Sequence, residues 1–181
     1  MQCLPKGLLV SVLFWLSALA QAAPVPPVVT LETNKGNIVL ELNPVKAPLS
    51  TDNFVEYVKS GFFDGLIFHR VIDDFMIQGG GFDTKMEKKS PRGPIRNEGK
   101  NGLLNRRGTI AMARTNDPHS ASSQFFINLK DNHFLNGSAS RDGYAVFGRV
   151  LQGMDVELSC AMIVAPCSPK NLLAPVWSKC Q

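Results

Sequence analysis

Apolar and polar residues alternate through VVTLETNKGNIVLEL (residues 28–42), on both sides of Asn34-Lys35-Gly36. A period of two marks a half-buried strand, and the Asn-Lys-Gly centre marks a turn, so the pattern predicts a β-hairpin. Pro24, Pro26 and Pro27 form a stiff lead-in, and Pro44 and Pro48 punctuate the exit. The spacing then changes. LSTDNFVEYVKSG (49–61) carries apolar residues at Phe54, Val55 and Val58, opens on Ser50-Thr51-Asp52 and closes on Gly61. This predicts an amphipathic helix with a capping start and a C-terminal glycine. Five short apolar runs read as strands: LIFHRVI (66–72), FMIQ (75–78), GTIAMAR (108–114), QFFINL (124–129) and YAVFGRV (144–150). A long Gly-, Pro- and Lys-rich loop separates the second of these from the third, and a second helix is expected from about Met154. Many short strands without βαβ alternation predict a closed or sandwiched antiparallel sheet.

The first residues belong to a different pattern. MQCLPKGLLVSVLFWLSALAQA places Lys6 before an uncharged, mostly apolar run from Gly7 to Ala20, and ends on Ala20-Gln21-Ala22. The run is short for a membrane span and prolines follow at once, so residues 1–22 read as a secretory signal cleaved after Ala22. That reading predicts a soluble periplasmic protein, with no membrane contact after cleavage. Lys6 is the leader's only charged residue, so its loss lowers the formal charge from +4 to +3. Hydrophobic content of 44% and charged content of 19% are those of an ordinary globular chain, and 181 residues suit one domain. Eight Lys or Arg lie between Lys85 and Arg107, but without interleaved aromatics they predict a solvated loop, not a nucleic-acid surface. The mature cysteines, Cys160, Cys167 and Cys180, crowd the C-terminus in a spacing that fits no zinc motif.

The usual catalytic constellations are missing from the sequence. Ser120, Ser122 and Ser123 lie beside His119, yet there is no GxSxG elbow. His69, His119 and His133 show no ligand spacing, and Gly79-Gly80-Gly81 lacks both GxGxxG and a following Lys-Ser/Thr. What stands out is FHRVIDDFMIQGGGF (68–82), where a His-Arg pair interrupts an apolar, β-branched run. On pattern alone, Arg70 is an edge residue or a paired cation, and Phe75, Met76, Phe125 and Phe126 are core. Alternation sends only one of Phe125 and Phe126 outward.

FHRVIDDFMIQGG, followed by GTIAMARTNDPHSASSQFFINL and FLNGSASRDGYAVFGRV, resembles the cyclophilin-type peptidyl-prolyl cis–trans isomerases from about Val28 to Val156. The likeness is strongest to their exported bacterial branch. The resemblance implies a mainly β fold, a closed eight-stranded antiparallel barrel capped by two α-helices, over a domain spanning 23–157. It implies Arg70 as the essential arginine, with Gln78 beside it. Phe75, Met76, Phe126 and Leu135 would form the proline-ring pocket, Ala113 and Arg114 the path of an extended peptide, and Gln124 a support of the groove. Phe134 stands where many relatives have Trp, and Tyr144 where many have His, which puts tight cyclosporin binding in doubt. The implied partners are proline-containing, unfolded or partly folded polypeptides, bound by a monomer with no metal or cofactor. His69 is expected to be a packed, hydrogen-bonded neighbour without a catalytic part. Two other classes share some of these features: a proline-peptide-binding chaperone module with little turnover, which would not need Arg70, and a lipocalin-type barrel, which would need an open apolar interior.

The tail, 158–181, departs from the pattern of such relatives. Pro166 and Pro169 break a helix, and Pro175 interrupts LLAPVW, the apolar run available for a last strand. An altered ending, as from a reading-frame shift, and a barrel that closes poorly are expected here.

Overall fold

The computed structural model describes residues 25–154. The leader, the helix expected after Met154, the cysteines and the tail lie outside the described residues. The hairpin forms as its alternation predicts. Strand β1 (Val28–Thr33) pairs antiparallel with β2 (Gly36–Leu42), from Val28 opposite Glu41 to Thr33 opposite Gly36. The Thr33 hydroxyl closes the turn, donating to the Gly36 carbonyl at 2.6 Å and accepting the Lys35 N–H at 3.1 Å.

Helix α1 spans Pro48–Lys59 and buries Phe54, Tyr57 and Val58. It starts earlier than the Ser50-Thr51-Asp52 cap predicts. Ala47 is the N-cap residue and supplies no side-chain cap, while Pro48 fits the first turn because no N–H is needed there. The cap comes instead from the distant Glu98 carboxylate. It accepts the Leu49 N–H (3.0 Å), the Ser50 N–H (2.8 Å) and the Ser50 hydroxyl (2.6 Å), meeting free donors and the positive end of the helix dipole together. At the other end Gly61 adopts the left-handed conformation (φ +64°) and its N–H reaches the Val58 carbonyl at 3.0 Å, as the sequence leads one to expect.

The basic loop also differs from a freely solvated one. Its charges face solvent, but it is pinned over α1. The Arg92 guanidinium lies 4.3 Å from the Tyr57 ring centre and donates to the Asn53 carbonyl at 3.1 Å, and Lys89 donates to the Phe62 carbonyl at 2.7 Å. Cationic heads on aliphatic stems can cover aromatic faces while staying wet, so charge counting alone does not reveal such an anchor.

Five further strands follow: β3 (Arg70–Ile72), β4 (Met76–Gly79), β5 (Thr109–Met112), β6 (Phe125–Asn128) and β7 (Val146–Gln152). They join the hairpin in one curled sheet of order β1-β2-β7-β5-β6-β4-β3, every neighbouring pair antiparallel. Register shifts at Val39/Leu40 and Ile110/Ala111 bend it. The fold is thus mainly β, with seven strands, one α-helix and one 3-10 turn (His133–Leu135) among the described residues. The strand expected at 66–72 shortens to three residues. Ile67 N–H bonds Phe82 and Leu66 bridges Asp83, so these positions pair away from β4. The three glycines mark a close backbone approach: a Cβ on Gly80 would sit 2.7 Å from the Ser123 carbonyl oxygen.

The concave side of the sheet is filled. Phe54 meets Phe63, Phe125 and Phe147 with ring centres 5.2–5.3 Å apart, among fully buried Leu40, Ile77, Ile110 and Ile127. The open hollow that a lipocalin-type barrel requires is occupied by these rings. No helix among the described residues is long and apolar enough to cross a membrane.

Candidate active site

Strand registry brings distant parts of the chain into one row. Arg70 on β3 lies opposite Gln78 on β4, Gln78 opposite Phe126 on β6, Phe126 opposite Ala111 on β5, and Ala111 opposite Val146 on β7. Residues directly opposite each other in a sheet share a face, so this row lies on the convex side. Alternation along β6 separates its two phenylalanines as expected: Phe125 joins the concave core, whereas Phe126 belongs to a second cluster with Met76, Ala111, Leu135 and Val146. Three of its members, Met76, Phe126 and Leu135, line a pocket.

The pocket holds about 170 Å³. Arg70, Gln78 and Arg114 are its polar lining, and Phe75, Met76, Phe126, Leu135, Ala113 and Tyr144 supply the rest. Nine of the eleven residues that the sequence suggested therefore converge. Gln124 lines an adjoining groove instead, and its Oε1 accepts a 2.8 Å hydrogen bond from Gln78 Nε2. Phe134, the other outlier, is 59% exposed and stacks on Phe75 (centroids 5.6 Å apart, planes at 22°). Tyr144 meets Phe126 edge-on at 5.6 Å.

Two arginines line the pocket, and their situations differ. Arg114 lies 4.6 Å from the centre of the Tyr144 ring and donates to the Thr115 and Asp142 carbonyls at 2.9 and 2.8 Å. Arg70 is exposed, and its guanidinium has no hydrogen bond or ion pair among the described residues. One cation is committed to the scaffold. The other is available to a ligand.

His69 is packed on Phe82 (ring centroids 4.6 Å apart), but its buried Nδ1 has no hydrogen-bond partner among the described residues. The sequence leads one to expect a packed, hydrogen-bonded ring. The packing is seen, and the Ile67 backbone acts on the ring as a weak hydrogen bond outside the geometry of a full bond at Nδ1. Burial, the largest cause, holds its pKa below the ordinary 6.5; the Ile67 backbone opposes this and the neighbouring Arg70 charge adds to it.

Sequence reasoning missed two features around the pocket. A second groove of about 270 Å³ adjoins it, sharing Gln78, Ala113 and Arg114 and running on past Lys88 and Ser122. The basic loop supplies Lys88, Lys89 and Pro91 to one side of it, and residues 113–124 supply most of the rest. Beneath the pocket lie Asn105, Asn128 and Asn132, all fully buried, and nothing in a lone asparagine's sequence context announces burial.

The family profile "Cyclophilin type peptidyl-prolyl cis-trans isomerase/CLD" matches residues 28–160. A peptidyl-prolyl cis-trans isomerase of Acinetobacter baylyi is 61% identical over 128 residues, 71% of this chain and 68% of that protein. Peptidyl-prolyl cis-trans isomerase B of Escherichia coli is 54% identical over 131 residues, 71% of this chain and 80% of that protein. Among solved structures, a cyclophilin type isomerase of Cryptosporidium parvum, crystallised in the presence of the dipeptide Ala-Pro, superposes with a TM-score of 0.60 at 29% identity. The match covers 71% of this chain and 81% of that one.

Proposed function

The chain belongs to the cyclophilin-type peptidyl-prolyl cis-trans isomerases, and from that premise we propose that it accelerates rotation about X-Pro bonds at the Arg70 pocket. The observation that carries this reading is the contrast between the committed Arg114 and the uncommitted Arg70 on the rim of an apolar pocket. The Ala-Pro dipeptide named with the Cryptosporidium relative supports proline-containing peptides as its ligands.

Prolyl rotation asks for no nucleophile and no proton transfer. It requires breaking amide resonance, against a barrier of about 18–20 kcal/mol for a peptide bond. In the twisted state the prolyl nitrogen regains a lone pair and becomes a hydrogen-bond acceptor. A guanidinium donating to that nitrogen binds the twisted state better than either planar one, and only such a difference speeds the step. Arginine suits this because it stays protonated and its donors are held in a fixed fork. Gln78, opposite Arg70 and held by Gln124, flanks the same atoms. One charged hydrogen bond supplies about 1.5–3 kcal/mol, whereas five orders of magnitude in rate need roughly 7 kcal/mol. The balance falls to the Ala113–Arg114 wall, which aligns the flanking chain, while Phe75, Met76, Phe126 and Leu135 hold the ring in planar and twisted states alike and so set affinity. The apolar surroundings also favour a twisted amide, which is less dipolar than a planar one.

The proposal extends to the cell. A leader at 1–22 would deliver a monomeric domain at 23–157, followed by the atypical tail at 158–181, to the periplasm to assist folding of exported proteins. An eighth strand and a second capping helix would close the sheet. The N-terminal residue of the exported protein tests the first part, with Ala23 expected. A protease-coupled isomerisation assay tests the centre. Turnover at sub-micromolar protein supports the enzyme; tight proline-peptide binding without turnover would leave a binding module in its place.

A further inference from the structure

The strand row sets Arg70, Gln78 and Phe126, but Phe75, Leu135 and Tyr144 stand on turns and connecting segments. Something else must fix these walls. Beneath them runs a head-to-tail chain of side-chain amides. Asn132 Nδ2 donates to Asn128 Oδ1 at 2.8 Å, and Asn128 Nδ2 donates to Asn105 Oδ1 at 3.2 Å and to Thr109 Oγ1 at 2.9 Å. Asn105 Nδ2 donates to Asn136 Oδ1 at 3.1 Å. Reversing any one amide would set two donors or two acceptors face to face, so the direction of the chain is fixed by its own hydrogen bonds.

Each end of this chain holds pocket backbone. At one end Asn132 Nδ2 also donates to the Phe75 carbonyl at 2.9 Å. The Asn132 carbonyl accepts the Leu135 N–H, and the Leu135 carbonyl accepts the Tyr144 N–H, both at 2.9 Å. At the other end Asn136 Oδ1 accepts the Asn105 N–H at 2.7 Å, and Asn105 Nδ2 makes a long 3.4 Å contact to the Tyr144 carbonyl. In the middle, Asn128 lies opposite Met76 and two residues from Phe126, on the face that carries the pocket. Three fully buried amides are a costly way to fill a core, and Asn132 Oδ1 has no partner among the described residues. An orphaned buried acceptor lowers stability where an apolar side chain would not. Such a choice fits a place where geometry counts for more than stability.

We propose that Asn105, Asn128 and Asn132 are positioning residues, a buried amide chain that sets the separation of the Phe75 wall from the Leu135 and Tyr144 walls and so tunes the fit of the proline ring. This rests on the isomerase reading above. Because the ring is held in planar and twisted states alike, loosening its walls weakens both equally. Asn132→Ala should therefore raise the dissociation constant of an Ala-Pro-containing peptide, and KM with it, by about tenfold. Its kcat should stay within about threefold of wild type, assayed well below the variant's melting temperature. A lower melting temperature with unchanged peptide affinity and KM would show a structural role only and overturn the proposal. In the wild-type protein, titration with the same peptide should shift the side-chain amide NMR signals of Asn132 and Asn105. Unmoved signals at saturation overturn the proposal even if the variant does not fold. A wild type that binds the peptide without turnover refutes the isomerase reading, while normal wild-type turnover with unaltered variant affinity refutes only the positioning role.

Discussion

Replacing Arg70 by alanine separates transition-state binding from every other contribution of the pocket. Arg70 is exposed and has no partner among the described residues, so its removal leaves no buried group unpaired and should change stability by no more than about 0.5 kcal/mol. Its expected contribution is one charged hydrogen bond, in a pocket lined by Phe75 and Leu135. The upper part of the range for such a bond, about 2.7 kcal/mol, corresponds to a hundredfold loss in kcat. Proline-peptide affinity should fall far less, because planar amides offer the guanidinium no nitrogen lone pair. Arg70→Lys keeps the charge but loses the fork, so it should recover only part of the rate. Turnover is measured by NMR line exchange on an Ala-Pro peptide, affinity by titration, and stability by thermal melting. Equal losses in turnover and affinity would make Arg70 a ground-state binder and refute the twisted-amide argument. An unchanged kcat would refute it outright.

Cyclosporin should inhibit weakly, and Phe134→Trp should improve inhibition. Phe134 keeps an apolar ring stacked on Phe75 but lacks the indole N–H; nanomolar inhibition of the wild type, or no gain from Trp, would count against this. Glu98→Ala should lower unfolding stability by about 2 kcal/mol, since two N–H groups of the first turn of α1 lose their acceptor, and a denaturation midpoint equal to wild type would deny the cap. For His69, the folded state favours the neutral ring, so the unfolded chain takes up the proton first. The stability it contributes is fully present above the ordinary value of 6.5 and is lost as pH falls below it, until the folded ring also protonates. His69→Gln should flatten that part of the stability profile, and an equal slope in both proteins would assign it to other groups.

Local periodicity revealed the elements whose neighbours are near in sequence. The hairpin needed only alternation and a turn, and α1 needed only its apolar stripe and Gly61. It failed where the partner is remote. The helix cap came from Glu98, and the strand expected from Leu66 gave way to pairing with residues 82–83. The pocket was legible for another reason: its residues sit in long, chemically specific blocks whose family resemblance carried them over one by one. Apolar pattern alone would have put Phe126 and Met76 in the main core. The amide chain was invisible, because burial of Asn105, Asn128 and Asn132 depends on three segments meeting beneath the pocket.

The two apolar clusters explain how one small sheet can be both stable and receptive. The concave cluster, built on Phe54, Phe125 and Phe147, closes on itself and leaves no room for a guest. The convex cluster stays partly open, since Phe75 and Tyr144 are only half-buried among the described residues, and a residual apolar surface is what a small apolar ring can fill. Arg70 adds polarity to that rim without needing burial, because β3 is an edge strand of the described sheet and its solvent side is open. A cation inside the concave cluster would have to be desolvated and paired. On the convex edge it stays hydrated, which resolves why a permanent charge interrupts an apolar run in FHRVI.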